Sequence, residues 1–156
     1  MKETGVILQY ICLFCILFIA VIQDIRMRKI KNKVSAGGAL AGLVFAVLLP
    51  QRHILDAFLG FFIMLAVGMF CWRLKVFRAG DAKLLCAVAS FTDWKMGINT
   101  LLVAVIFGAV AGLPMVIGRI WKKEGGKTAF PFSVAIAAGC IFGIVFGYIW
   151  EILEYM

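Results

Sequence analysis

The chain is poor in charge, and that shortage excludes an ordinary soluble domain. Charged residues make up 15% of its 156 residues and hydrophobic residues 64%, whereas a soluble domain averages about a quarter charged residues. Such an apolar excess cannot be buried in one small water-soluble core, so lipid must cover much of it. We therefore expect a single integral membrane domain over residues 1–156, with no room for a second domain.

Side chains that bind metals or form disulfides are also scarce or scattered. His53 is the only histidine and lies in a short polar turn, which excludes a histidine-based metal centre or catalytic triad. The cysteines are odd in number and all lie inside apolar runs, at Cys12, Cys15, Cys71, Cys86 and Cys140. That pattern does not make a disulfide framework or a zinc site. No cofactor and no metal are therefore expected.

The net charge of +8 does not indicate a nucleic-acid partner. The lysines and arginines occur in short clusters between apolar runs, which is how membrane proteins distribute them. We expect these clusters to set the topology and to contact anionic membrane lipids.

Apolar runs predict an all-α membrane protein, a six-transmembrane-helix bundle with a short fourth helix. The expected helices run from about Gly5 to Gln23, Val34 to Leu49, Ile54 to Trp72, Asp81 to Phe91, Gly97 to Ile117 and Pro131 to Ile149. The fourth is too short to cross a hydrocarbon core of about 30 Å unaided. We therefore expect its neighbours to shield it.

The loops carry very unequal positive charge, and this predicts the orientation. With six crossings, 13 of the 16 basic residues fall on one side, in three loops. They are Arg26, Arg28, Lys29, Lys31, Lys33, Arg73, Lys75, Arg78, Lys83, Arg119, Lys122, Lys123 and Lys127. Only Lys2, Arg52 and Lys95 fall on the other side. The three basic loops are expected in the cytoplasm and both termini outside, provided that the fourth helix crosses.

Small residues recur every fourth position in the last two helices. They are Ala104, Gly108 and Gly112 in the fifth helix, and Gly139, Gly143 and Gly147 in the sixth. Such ridges let helix backbones approach closely in lipid. We also expect Pro114 to kink the fifth helix and Pro131 to open the sixth.

Topology leaves two of the eight acidic residues as functional candidates. Five fall near outer ends and turns, at Glu3, Asp56, Asp93, Glu151 and Glu154, while Glu124 lies in a polar loop. Asp24 and Asp81 each abut an apolar helix on the cytoplasmic side, where an ionisable group is costly and commonly functional. The alternative is simple pairing with nearby Arg26, Arg28, Arg78 or Lys83.

The residues around the two aspartates resemble a known family. Asp24 is followed by Ile30-Lys31-Asn32, and Asp81 lies in Arg78-Ala79-Gly80-Asp81-Ala82-Lys83-Leu84. The chain is similar here to the type IV prepilin peptidases, membrane aspartyl proteases with a G-x-G-D motif. Those enzymes carry one aspartate ahead of an I-P-N-like segment and a second in G-x-G-D-x-K-L. Phe130-Pro131-Phe132 matches their P-F segment, whereas Arg78 replaces the first motif glycine and Lys31 the proline.

The resemblance implies a single membrane peptidase domain that removes the leader from pilin-like precursors at the cytoplasmic membrane face. Asp24 and Asp81 would be catalytic, with Gly80, Lys83 and Asn32 supporting the motif. Lys83 would tune the two carboxylates or anchor its helix at lipid headgroups. Longer family members carry an N-terminal segment associated with N-methylation, and this chain looks like the short forms that serve Tad-type pili. Peptidase activity without methyltransferase activity is therefore expected.

Two adjacent carboxylates suit amide hydrolysis, because like charges tend to share one proton. Asp81 begins a helix and Asp24 ends one, so the helix dipoles predict Asp81 as the base and Asp24 as the acid. Two other functions remain open. The same aspartates could serve a small proton- or cation-coupled transporter or channel subunit, or they could only pair with arginines in a non-enzymatic scaffold.

Overall fold

The protein consists of six α-helices in the residues that its computed structural model describes, 2–49, 54–74, 78–122 and 131–154, and these contain no strand. The helices are α1 (Lys2–Met27), α2 (Asn32–Leu48), α3 (Ile54–Arg73), α4 (Ala79–Phe91), α5 (Trp94–Lys122) and α6 (Phe132–Glu154). Several residues named above lie outside the described ranges: Arg52, His53, Lys75, Lys123, Glu124, Lys127 and Phe130.

Most helices are longer than their apolar runs. Helix α1 continues past Gln23 to Met27, and the N–H of Arg28 still donates to the carbonyl of Asp24 at 2.8 Å. Asp24 therefore lies in the last turn of α1 and does not end it, which corrects the sequence expectation. An apolar run stops at the first polar residue, whereas the helix continues as long as its backbone hydrogen bonds are satisfied.

Three segments are long and apolar enough to cross a membrane, namely Thr4–Met27, Ile54–Arg73 and Trp94–Pro114. Two further apolar helices are shorter, Asn32–Leu48 and Phe132–Gly147. Helix α4 has 13 residues, which extend over about 20 Å. Length and composition thus support a membrane protein, and the number of six crossings stays a prediction.

Helix α4 is the centre of the bundle. It packs against all five other helices, and ten of its residues are buried, among them the run from Leu84 to Phe91. This confirms the expectation that its neighbours shield it. At its far end the side-chain amide of Gln9, on α1, donates to the carbonyl of Phe91. Helix α1 therefore contacts the C-terminal end of α4.

Close contacts at glycines hold the bundle together. A Cβ at Gly60 of α3 would lie 2.9 Å from the carbonyl oxygen of Ala89 in α4, and one at Gly139 of α6 would lie 2.7 Å from that of Thr100 in α5. Gly108 and Gly143 also lie against neighbouring side chains, as the small-residue spacing predicts. Gly112 and Gly147 do not, since no neighbouring atom of the described residues lies within 4 Å of their Cβ positions. The predicted ridges are therefore confirmed only in part.

The kink predicted at Pro114 stays a prediction, whereas the position predicted for Pro131 at the start of the sixth helix is confirmed. Pro114 lies inside α5, and Pro131 immediately precedes α6, where its carbonyl accepts the N–H of Val134 at 3.1 Å. Proline at this point suits the start of a helix, as expected.

Candidate active site

Asp24 faces the interior of the bundle from the last turn of α1 and is 4% exposed. Its Oδ2 accepts two hydrogen bonds from Ser133 in the first turn of α6, from the hydroxyl at 2.7 Å and from the backbone N–H at 3.3 Å. The first N–H groups of a helix have no partner within the helix. Asp24 on α1 therefore caps the start of α6.

Arg78 lies on the other side of the Asp24 carboxylate. Its Nη1 is 3.9 Å from Oδ1 of Asp24 and donates to the carbonyl of Arg28 at 2.8 Å. Arg28 adopts a left-handed backbone conformation with a φ of 52° and turns the chain after α1. The pairing with an arginine that the sequence left open is therefore present at Asp24.

Asp81 is the third residue of α4 and is also 4% exposed. Its Oδ2 accepts the backbone N–H of Arg78 at 3.1 Å, so its side chain satisfies a donor that precedes the helix. Asp81 lies outside the three long apolar segments. The pKa of Asp81 is raised to about 6, chiefly by burial and further by the negative charge of Asp24. The backbone N–H and the guanidinium of Arg78 both oppose this rise.

The fold thus brings the two predicted aspartates to one site. Both are buried, they come from different helices, and Arg78 contacts both of them through different groups. Within the described residues, no group of three or more histidine, cysteine and acidic side chains is placed to hold a metal ion. Two buried carboxyl groups at one site can take up and release protons, so the arrangement can perform acid–base chemistry.

Lys83 and Asn32 contact each other and face away from the carboxylates. Nζ of Lys83 donates to Oδ1 of Asn32 at 3.0 Å and so joins α4 to the start of α2. Asp81 and Lys83 are two positions apart on one helix, which places them on roughly opposite sides of it. Both supporting residues line an open cleft of about 470 Å³ between α2, α3 and α4. The structure thus gives Lys83 a helix-joining contact.

Gly80 lies in the first turn of α4, packed against Ile30. A Cβ at this position would meet Cβ of Ile30 at 3.4 Å, which is ordinary van der Waals contact, and no described glycine has a positive φ. The supporting role that the resemblance implies for Gly80 therefore does not rest on a left-handed backbone or on an unusually close approach. Ile30 itself is 6% exposed and anchors the α1–α2 connection beside the site.

Sequence reasoning missed Ser133, and it considered Arg78 only as a possible pairing partner of the acids and as a departure from the motif glycine. Ser133 is 109 positions from Asp24, and a serine near the start of a helix is too common to indicate a site. Its only signal is its place directly after Pro131-Phe132, within the segment that carries the family resemblance.

Residues 11–113 match the model of the type IV leader peptidase family. The chain belongs to this family. The matched segment contains both aspartates and Arg78, and it ends before Ser133. Comparison with curated proteins and with solved structures gave no match. Family membership makes the protein a protease of the leader-peptidase type, and the two buried carboxylates are its best candidates for the catalytic groups.

Proposed function

We propose that the protein is a membrane-embedded aspartyl endopeptidase in which Asp24 and Asp81 form the catalytic dyad. The observation that carries this proposal is that Arg78 joins two buried carboxylates from different helices. Both lie in the segment that matches the leader peptidase family. Burying two acids costs free energy, so their burial at one site favours a functional role. Hydrolysis of an amide requires two such groups, one as a base and one as an acid.

The reaction needs one ionised and one protonated carboxyl group. The carboxylate takes a proton from water as the water oxygen attacks the scissile carbonyl carbon, while the carboxylic acid gives its proton to the carbonyl oxygen. The first carboxyl then protonates the amine as the C–N bond breaks, and the second recovers a proton from the tetrahedral diol. The two residues return to their starting states, with one water consumed for each peptide bond cleaved.

The substrate that this function implies is a pilin-like precursor with a leader and an apolar helix, cleaved at the cytoplasmic membrane face. Family membership supports the substrate class. The hydrogen bond from Arg78 to Arg28 and those from Ser133 to Asp24 support the orientation, because they bring the ends of three helices together. Those ends flank the three basic loops, which the charge rule assigns to the cytoplasm.

A proton- or cation-coupled transporter would use the same acids differently. Coupling residues of transporters typically lie near the middle of the bilayer. Asp24 lies in the last turn of α1 and Asp81 in the first turn of α4, both at one end of the bundle. This placement and the family favour the peptidase.

The test is co-expression of the full chain with pilin-like precursors and measurement of leader removal. Asp24→Asn and Asp81→Asn are each expected to lower the cleavage rate at least about 100-fold, because each removes one acid–base group. Both substitutions keep the size of the side chain and one oxygen that can accept the hydrogen bond from Ser133 or from the N–H of Arg78, so both variants should reach the membrane at the level of the wild type.

Asp93→Asn is the matched control. Asp93 lies beyond the opposite end of α4 and accepts the N–H of Met96 at 2.6 Å, a capping role that asparagine fills equally well. This variant should cleave at the wild-type rate. Cleavage that persists in Asp24→Asn or Asp81→Asn would remove that residue from the mechanism.

A further inference from the structure

The surroundings of Asp24 favour its anion, although it lies at the negative end of the α1 dipole. Ser133 is the second residue of α6, and its N–H and hydroxyl both donate to Oδ2 of Asp24. That N–H belongs to the positive end of the α6 dipole, which is a favourable place for a negative charge. The positive end of the α6 dipole therefore acts on this carboxylate together with the negative end of the α1 dipole.

Arg78 adds a full positive charge on the other side. Its guanidinium lies 3.9 Å from Oδ1 of Asp24, and its hydrogen bond to the carbonyl of Arg28 holds it there. An opposite charge at this distance favours the ionised form of a carboxyl group. Because only 5% of the Asp24 side chain is exposed, water screens this attraction less than it would at the surface.

Asp81 is equally buried and also lies at the start of a helix, α4, but among the described residues fewer donors stabilise its anion than stabilise that of Asp24. Its carboxylate accepts one backbone N–H, from Arg78. Burial raises its pKa to about 6, and the negative charge of Asp24 acts in the same direction. The charged groups that act on Asp81 are Asp24 and Arg78, and the guanidinium of Arg78 lies at Asp24. A proton shared by the pair is therefore held better at Asp81.

We infer that Ser133 and Arg78 are positioning residues that hold Asp24 as the carboxylate, so that Asp24 activates the water and Asp81 donates the proton to the scissile carbonyl. This inference rests on the proposed function and reverses the roles that the helix ends alone predict. Asp24 takes the proton of water and later gives it to the leaving amine. Asp81 gives its proton to the carbonyl oxygen and recovers it from the diol.

The location of the proton can be tested without any peptidase activity. Infrared spectroscopy of the purified full chain at pH 5 should show the carbonyl stretch of a buried protonated carboxyl group, because ordinary acids are largely ionised at this pH. The band should persist in Asp24→Asn and disappear in Asp81→Asn. The opposite pattern, or loss of the band in neither variant, would overturn the inference.

The pH dependence of kcat/KM tests the two positioning residues. The acid limb reports the base and the alkaline limb the acid. Ser133→Ala removes one charge-assisted hydrogen bond to Asp24 and should move the acid limb to higher pH, with the alkaline limb unchanged. Arg78→Gln should move both limbs upward, because the guanidinium favours the anions of both aspartates. Arg78→Lys keeps the positive charge, so both limbs should lie close to their wild-type positions.

Ser35→Ala is the matched control for the loss of a buried hydroxyl. The Ser35 side chain is 2% exposed, and its oxygen has no hydrogen-bond partner in the described part of the chain, so neither limb should move. A loss of kcat in Ser133→Ala with both limbs fixed would mean a packing role only. A shift of the alkaline limb alone in Ser133→Ala would assign the proton to Asp24. Either of these two results would overturn the inference.

Failure of the inference is distinguishable from failure of the proposed function. If the wild type cleaves no precursor, the endopeptidase proposal fails, while the infrared pattern still decides which carboxyl group holds the proton. If the wild type cleaves and the infrared pattern is reversed, the function stands and the division of roles is wrong.

Discussion

Arg78 reaches both carboxylates with two different groups. Its backbone N–H contacts Asp81 and its guanidinium lies beside Asp24. The family motif that the sequence resembles has a glycine at this position, and a glycine could supply only the backbone contact. The arginine thus adds to this site a charge that the motif does not require, and it fastens the chain after α1 to the start of α4.

Asp81 should reduce the stability of the protein at neutral pH. Its pKa is raised from 3.8 to about 6 in the folded state, so folding favours the protonated form. The associated stability is fully present below the unfolded-state value and is lost as the pH rises through about 6. At pH 8 the free energy of unfolding of Asp81→Asn should therefore exceed that of the wild type by about 1–3 kcal/mol, and the variant should unfold at a higher temperature.

The gain of Asp81→Asn should largely vanish at about pH 3, below the unfolded-state pKa of 3.8, because the wild-type carboxyl group is then mostly protonated in both states. Thermal unfolding of the purified protein at the two pH values measures the difference. An equal gain at both values would show that the effect does not come from ionisation of Asp81.

The two aspartates could be found from the sequence because an acid beside an apolar helix is rare. Ser133 could not, because its importance comes from its distance to Asp24, and only the packing of α6 against α1 sets that distance. The same holds for Lys83, whose contact with Asn32 joins positions that are far apart in sequence.

Among the elements, α4 determines the environment of the site. The helix is short and packs against the five others, and in its first turn Asp81 and Ala82 are buried while Ala79 is exposed. Its small residues and the glycines of α2 and α3 allow this close approach. The apolar run predicted a short shielded helix. Which of its side chains are buried could be learned only from the packed bundle.

The contact between α5 and α6 depends on Gly139. A Cβ at this position would lie 2.7 Å from the carbonyl oxygen of Thr100 and 3.2 Å from the backbone nitrogen of Ala104, and backbone atoms cannot move aside easily. Gly139→Ala should push the helices apart and destabilise the protein by about 1–3 kcal/mol. Thermal unfolding in detergent measures this change.

Gly112→Ala is the control on the neighbouring helix, because no neighbouring atom in the described part of the chain lies within 4 Å of its Cβ position. It should be neutral or slightly stabilising, since alanine favours a helix over glycine by about 0.5–1 kcal/mol. Equal stabilities of the two variants would contradict the role given to Gly139.

For the whole molecule, positive charge and the candidate active site coincide at one end. The ends of α1, α4 and α6 meet through Arg78 and Ser133, and the segments beside them carry most of the lysines and arginines. A membrane protein with this distribution is expected to keep that end in the cytoplasm.

Reporter fusions test the orientation and the crossing by α4 together. A cytoplasmic reporter should be active when fused after Lys29 or Lys75, and an extracytoplasmic reporter when fused after Arg52 or Lys95. The pair at Lys75 and Lys95 brackets α4. If both of these fusions report the same side, α4 does not cross and the count of six crossings is wrong.

The sequence by itself determined the class of protein, the approximate helices and the two acids, because hydropathy and charge are properties of single residues and short runs. The tertiary structure decided which groups surround those acids. Asp24 lies near the end of one helix and caps the start of another, so the helix that contains it does not settle its electrostatics. The start of α6 and the guanidinium of Arg78 act across space, and only the packed bundle brings them to the carboxylate.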